Sequence, residues 1–262
     1  MSFSEDQQHE LSVPPLNQIQ ASNLSIILQQ DAEKYYYCAL VSFAEAVRGC
    51  KSSAWSWSII KLYYSSFFAA RALLAIENIA VCFIGKSEKF IIAKPNESLN
   101  KFPKKKFTTT ARDTNEKKKI NGTHGAVMHL FEETFINERL LSQDIDQLYP
   151  SEWLVRERET ANYRTDYFKD PFPPQCMDFV SRLGPETLIS EYYRDETSLY
   201  TFDESHAILS YPSKLLKHTF NRLAHHNAEN FIIPESEKRR EFLNDLLSDL
   251  PISKGIIDSL YR

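Results

Sequence analysis

Handling a phosphate at neutral pH takes a group that can accept and return a proton, plus cations that hold the anion; histidine, arginine and lysine supply these roles. Among the seven histidines of this 262-residue chain, His124 and His129 stand five apart. That offset turns them about 140° from each other on a helix, so they do not make the i, i+4 pair that grips a metal. His225 and His226 are adjacent, point apart, and have no acid or cysteine partner at ligand spacing, which reads as surface. No metal and no cofactor are expected. Asn121-Gly122-Thr123 leads into His124, which either caps the start of a helix or faces an anion held by the free amides there. Arg158 and Asn162 are four apart and share a helix face, where they can grip a phosphate or a base edge. The same pair can equally bond one helix to another.

Lysine is concentrated in one segment. Residues 94–119 hold Lys94, Lys101, Lys104, Lys105, Lys106, Arg112, Lys117, Lys118 and Lys119 against three acids, a local charge of +6 in a chain of formal charge −4. Such a field suits a phosphate backbone and is sensitive to salt, although a lysine-rich loop can also serve solubility alone. Glu132 with Glu133 and Glu157 with Glu159 show only the pattern of a solvated face. Tyr35, Tyr36, Tyr37, Trp55, Trp57, Tyr63, Tyr64, Phe67 and Phe68 fall at helical spacing, which reads as core rather than as a base-stacking platform.

These groups must be positioned mainly by helices. Only six glycines occur, too few for folds built on phosphate loops and tight hairpins. Residues 1–20 are polar, carry a Pro-Pro pair and read as a flexible arm. Three-four spacing of apolar residues predicts a first helix from Asn23 to Val47 and a second from Ser53 to Glu77. The second has Trp57, Ile60, Tyr64, Phe67, Phe68, Arg71, Leu74 and Ala75 on one face, with Ser65, Ser66, Ala69 and Ala70 admitting a close neighbour. Val81–Ile84 and Lys89–Ile92 flank a turn and predict a hairpin. The basic segment has neither helical nor strand period and reads as a mobile loop. A third helix is expected over Thr123–Glu138, with Val127, Leu130, Phe131, Phe135 and Ile136 buried. A fourth is expected over Ser151–Asp166, with Ser151 and Glu152 capping and complementing its first turn. Further helices are expected at Cys176–Leu183, Pro185–Asp195, Phe202–Asn227 (kinked or divided at Pro212), Ser236–Leu250 and Ile252–Tyr261. The uninterrupted apolar runs, Ile79–Ile84 among them, are far short of a bilayer span of roughly 20 residues. Neither a secretory signal nor a membrane partner is expected. The scattered Cys38, Cys50, Cys82 and Cys176 fit a reducing cytoplasm.

Three strings together resemble the HEPN family, small helical-bundle proteins of prokaryotic defence, toxin–antitoxin and nucleotide-handling systems. Lys61-Leu-Tyr-Tyr-Ser-Ser-Phe-Phe-Ala-Ala-Arg71-Ala-Leu-Leu74 resembles the family's second helix. Thr123-His124-Gly-Ala-Val-Met-His129-Leu-Phe131 is similar to the start of its third. Leu154-Val-Arg156-Glu-Arg158-Glu-Thr-Ala-Asn162-Tyr163 is similar to its fourth, where Leu-Arg-x-x-Arg-x-x-Ala-Asp-Tyr is common. The resemblance covers roughly residues 22–168. It implies an all-α, up-and-down bundle of four or five helices, here carrying the basic insertion and a helical C-terminal extension. The expected division is an arm at 1–20, a bundle at 21–230 with the insertion at 94–119, and an extension at 231–262.

The resemblance also implies a function: acting on or binding RNA within a defence or toxin–antitoxin system, as a homodimer or with another protein subunit. Arg158, Asn162 and Tyr163 would line the groove and Arg156 and His124 would support it. Lys104, Lys105, Lys106, Lys117, Lys118 and Lys119 would hold the phosphate backbone. Many family members cleave RNA with an Arg-X4–6-His motif, and no arginine of this chain has a histidine at that spacing. Asn162 cannot stand in, because an amide orients and hydrogen-bonds but does not take up and return a proton near neutral pH. Binding is therefore preferred to cleavage. A divergent ribonuclease would need another proton carrier, His124 or His129. The alternative is a protein–protein module that partners a nucleotidyltransferase-like or helicase-like subunit without touching nucleic acid; a nucleotide-binding bundle would use the same arginine groove.

Overall fold

A computed structural model describes residues 14–84, 87–102, 105–106, 118–119, 122–164, 170–226, 236–246 and 248. Helix α1 spans Gln18–Lys51 and begins earlier than its apolar period suggests. The reason is a capping box: the Asn17 side chain accepts from the Gln20 amide at 2.9 Å, and the Gln20 side chain accepts from the Asn17 amide at 2.9 Å, which satisfies two otherwise free donors of the first turn. Residues 18–20 thus belong to a helix rather than to a flexible arm. Leu16 is itself tied by backbone bonds to Asn96 and Glu97. The rest of the expected arm, residues 1–13, lies outside the described residues.

Helix α2, Trp55–Ile76, is buried on nearly every side, so its apolar residues do not form the single face expected of it. Trp57 is 56% exposed, whereas Trp55 is buried and its indole donates to the Pro171 carbonyl at 2.8 Å. By length and composition α2 is apolar enough to cross a membrane, which counting uninterrupted apolar runs does not reveal; 78% of its apolar window is buried within the protein. α1 packs along it closely. Gly49 makes this approach possible, since a Cβ there would lie 2.5 Å from Ser58 Oγ, a hydroxyl already bonded to the Ala54 carbonyl at 2.9 Å.

After α2, Asn78 adopts a left-handed backbone (φ 62°) and the chain enters the hairpin. Strand β1 (Ile79–Ile84) pairs antiparallel with β2 (Ser87–Ile92), from Ile79 opposite Ile92 to Ile84 opposite Ser87. β3 (Asn100–Lys101) joins β2 on its other side. The insertion also contains β4 (Lys105–Lys106) paired with β5 (Lys118–Lys119). The chain is thus mostly helical but not purely so, since it carries a small three-stranded sheet. The basic segment, expected to be a loop, includes ladder-forming residues despite lacking a strand period. A ladder of two residues is too short for side-chain alternation to show in the sequence.

Helix α3 runs Gly122–Thr134. Ile136 is 46% exposed, because the helix has ended two residues before it and the apolar stripe no longer applies. Glu132 is buried rather than solvated, and Ser151 donates its hydroxyl to that carboxylate. Ser151 is thereby not an N-cap: helix α4, Pro150–Tyr163, starts with Pro150 in its first turn, where the missing amide costs nothing. Two short helices follow, α5 (Asp178–Leu183) and α6 (Pro185–Arg194). α7 (Glu204–His226) continues through Pro212 without dividing. α8 (Ser236–Leu246) brings Leu243 into the same apolar core that includes Leu28, Leu62, Trp153 and Leu215; the expected segment Ile252–Tyr261 lies outside the described residues. α2 touches α1, α3, α4 and α7 and is the axis of the assembly.

The α1–α2 approach is directly testable. Gly49→Ala forces a methyl against Ser58 in a closed crossing, and overpacking of this kind costs about 1–3 kcal/mol. Chemical denaturation should show a lower midpoint with an unchanged slope, and an unaltered midpoint would show that the crossing is loose.

Candidate functional site

The residue that organises the site is Tyr63, fully buried on α2. Its hydroxyl lies 2.8 Å from Nδ1 of His124 on α3. A buried hydroxyl must place its proton, and burial pushes Tyr63 up to about 12, so it stays protonated. Among the described residues His124 is the acceptor available to it. Nδ1 therefore accepts, and the neutral imidazole carries its own proton on Nε2. The His124 ring is stacked on Phe67, with centroids 4.1 Å apart and planes inclined by 8°, and meets the edge of Tyr64 at 5.6 Å. Burial, the Arg158 guanidinium and the Arg71 guanidinium hold its pKa below the usual histidine value.

Arg158 reaches the same ring system from α4. Its guanidinium carbon sits 4.7 Å from the Tyr63 centroid, a cation–π distance. Its Nη2 pairs with Glu159 at 3.0 Å, its side chain is only 17% exposed, and its Nε is buried with no partner among the described residues. Arg71 extends from α2 toward α1 instead, donating to the Tyr35 hydroxyl at 2.5 Å. Three helices thus set a neutral histidine and an arginine around one tyrosine. This arrangement can hold an anion and donate to it through Nε2–H.

The sequence-derived candidates divide. His124 and Arg158 come together. Asn162 and Tyr163 lie at the exposed end of α4, with Tyr163 72% exposed. Arg156, two residues from Arg158 and therefore turned about 200° away, bonds Asp146 at 2.6 Å and Glu157 at 3.1 Å and does not join the cluster. His129 is buried on α3. The β4–β5 register sets Lys105 opposite Lys119 and Lys106 opposite Lys118, which brings the two lysine groups to adjacent backbone positions; Lys104 and Lys117 lie outside the described residues. Among the described residues no three His, Cys, Asp or Glu side chains are placed to hold a metal.

Sequence reasoning misses Tyr63, reading it as core. The usable signal is its hydroxyl, since a tyrosine on a helix of serine, alanine and phenylalanine needs a polar partner once buried. Compared with protein-family models, with curated proteins and with solved structures, the chain matches none of them.

The electrostatics of His124 can be read by NMR titration. Its folded pKa lies below the unfolded value of 6.5. Its contribution to stability is therefore complete above that value and is lost as pH falls toward the folded pKa. Arg158→Ala removes one of the depressing charges, so the His124 midpoint should move up toward 6.5. A midpoint that stays put would separate Arg158 from the histidine.

Proposed function

We propose that this chain is a HEPN-like bundle that binds RNA in a prokaryotic defence or toxin–antitoxin setting, by holding the phosphate backbone at the His124–Arg158 cluster. The observation that carries this reading is the placement of that cluster where the basic insertion returns to the bundle. Lys119 is five residues before His124, so the lysine ladder is tethered within about 18 Å of the histidine. The ladder sets lysines opposite one another, an arrangement that like charges oppose and that a polyanion would offset. Arg158 contributes a largely desolvated guanidinium, and exposed Tyr163 and Asn162 extend the same end of α4. Arg156 is committed to Asp146 and Glu157 and is left out of this surface.

Binding is favoured over cleavage by the tautomer of His124. With Nδ1 accepting from Tyr63, Nε2 already carries a proton and donates rather than abstracts. A general base for RNA cleavage needs a free ring nitrogen toward the attacking hydroxyl. Cleavage stands as the second reading on one observation: His124 and Arg158, absent as a motif in sequence, meet in space from two helices.

One gel distinguishes the cases: purified protein with end-labelled RNA, with and without divalent metal, read for retention and for cleavage. The wild type should retain RNA without cutting it. Arg158→Ala should weaken retention about tenfold, equivalent to about 1.4 kcal/mol. The same variant should stay folded but melt several degrees below wild type, because the desolvated cation–π contact it removes is worth about 2 kcal/mol and the half-exposed pairing with Glu159 about 1 kcal/mol or less. Replacing Lys105, Lys106, Lys118 and Lys119 with alanine should flatten the dependence of log K on log salt, by about 0.7 for each phosphate no longer neutralised. Metal-independent cutting abolished by His124→Ala would establish the nuclease reading. Absence of both signals would leave the module that partners another subunit.

A further inference from the structure

We propose that the free edge of β1, with the groove beside it, binds the C-terminal tail of a partner protein, an extended peptide that ends in an aliphatic residue and a free carboxylate. β1 is the outer strand of a sheet whose order is β1-β2-β3. On the β2 side the Asn78 carbonyl accepts from the Ala93 amide at 2.8 Å, so by the alternation of an antiparallel ladder Ile79 and Val81 turn their amides and carbonyls to the other side. Among the described residues no backbone group pairs with them there. The strand reads Ile-Ala-Val-Cys-Phe-Ile in unbroken register, without the charge, proline or bulge that protects a free edge from pairing. A row of donors and acceptors of this kind is met by one more extended strand.

The groove sets what the end of that strand must carry. A cavity of about 110 Å³ lies against Ile79, Ala80 and Val81. Successive strand residues point to opposite faces, so a space that touches all three borders the edge rather than one face of the sheet. Across from β1 the wall is apolar, with Leu24, Ile27 and Leu28 from α1 and Leu74 from α2, and Ile27, at 52% exposure, marks its opening. This wall suits an aliphatic side chain. Arg71 lines the same cavity, its guanidinium stacked over the Tyr35 ring at 4.1 Å and donating one bond to that tyrosine's hydroxyl. Among the described residues it has no ion pair, because Asp31, the carboxylate of the lining, pairs with Lys34 at 3.0 Å. Arg71, Lys34 and Asp31 together leave one positive charge in excess, and the remaining N–H groups of Arg71 match the fork of a carboxylate. Backbone edge, aliphatic wall and uncompensated guanidinium in one groove describe the end of a peptide chain. The groove uses neither His124, Arg158 nor the lysine ladder, so tail binding and RNA binding can fail separately.

The test is fluorescence polarisation of the full chain with labelled octapeptides that have a threonine-rich body and end in Leu, Ile or Val, each set beside its C-terminal amide and a counterpart ending in Asp. At least one free-carboxylate peptide should bind saturably and one-to-one. Amidation, which removes the charge alone, should weaken that binding at least about tenfold, and the Asp ending should weaken it as much. Val81→Pro removes one outward amide and no ladder bond, so it should lower the affinity while the circular dichroism of the free protein is retained. Arg71→Gln should lower it about as far as amidation does and erase the difference between free and amidated peptides. Lack of saturable binding across the panel overturns the proposal. So does equal binding of the amides, or a preference for the free carboxylate that survives Arg71→Gln. Self-association of the chain that Val81→Pro abolishes, with no peptide bound, would give the edge to a second copy and overturn the tail assignment.

Discussion

The burial of α2 on nearly every side is the constraint from which the other features follow. A helix with so little solvent face cannot be stabilised by one neighbour, so α1, α3, α4 and α7 must each lay an apolar stripe against it. Each fully buried leucine, such as Leu62, Leu73 or Leu74, contributes about 1.5–3 kcal/mol, but only if all four neighbours are in place. Small residues at Ser65, Ser66, Ala69 and Ala70, all at 0% exposure, set how near those neighbours come. The polar demand that shapes the site inside this packing comes from Tyr63. Its hydroxyl has nowhere to go except toward another helix, and His124 answers it. That bond fixes where α3 begins relative to α2, and the flat face of Tyr63 then seats the Arg158 guanidinium.

The same logic explains why a neutral histidine sits among cations. Desolvation is the largest influence on His124, and Arg158 and Arg71 act in the same direction. A charged imidazole there would repel two guanidinium groups and lose the Tyr63 donor at once. The site therefore concentrates positive charge on arginine, which stays charged when desolvated, and leaves the histidine as a neutral donor. The insertion adds further charge of the same sign. Its register sets lysine opposite lysine along the backbone.

Periodicity and turn chemistry make much of the fold legible. The helix positions of α2, α3 and α4, the hairpin and the run of short C-terminal helices all follow from spacing, because apolar period reports which side of an element is dry. It fails where an element is dry on most of its surface: a one-faced reading of α2 places Trp57 inside, although it is 56% exposed. It fails also where local chemistry has two uses. Ser151 has the residue type of a cap, yet it lies inside α4 and bonds the buried Glu132 across helices, a pairing 19 residues apart that spacing cannot show. Asn17 and Gln20, by contrast, form a capping box that the sequence displays and that the polar composition of the arm obscures. At the candidate site Arg158 and His124 are each legible as residue types. Their meeting is not, since it depends on the crossing of α3 and α4 over α2.

α4 shows why a motif on a helix does not assign roles by itself. Arg156 and Arg158 fall in one short string and carry the same charge, but two residues of helix separate their directions by about 200°. Arg158 enters a ring of aromatic side chains that already holds a neutral histidine, where its ion-pair partner is Glu159. Arg156 enters a wall of carboxylates that absorb it, with Asp146 and Glu157 both bonded to it. Identical side chains thus stack on aromatic rings beside a neutral histidine on one face of α4 and are held between two carboxylates on the other. The difference lies in what the neighbouring helices and turns present to each face, Tyr63 and His124 on one side, Asp146 and Glu204 on the other. Any functional reading of the string Leu154–Tyr163 must therefore be made face by face.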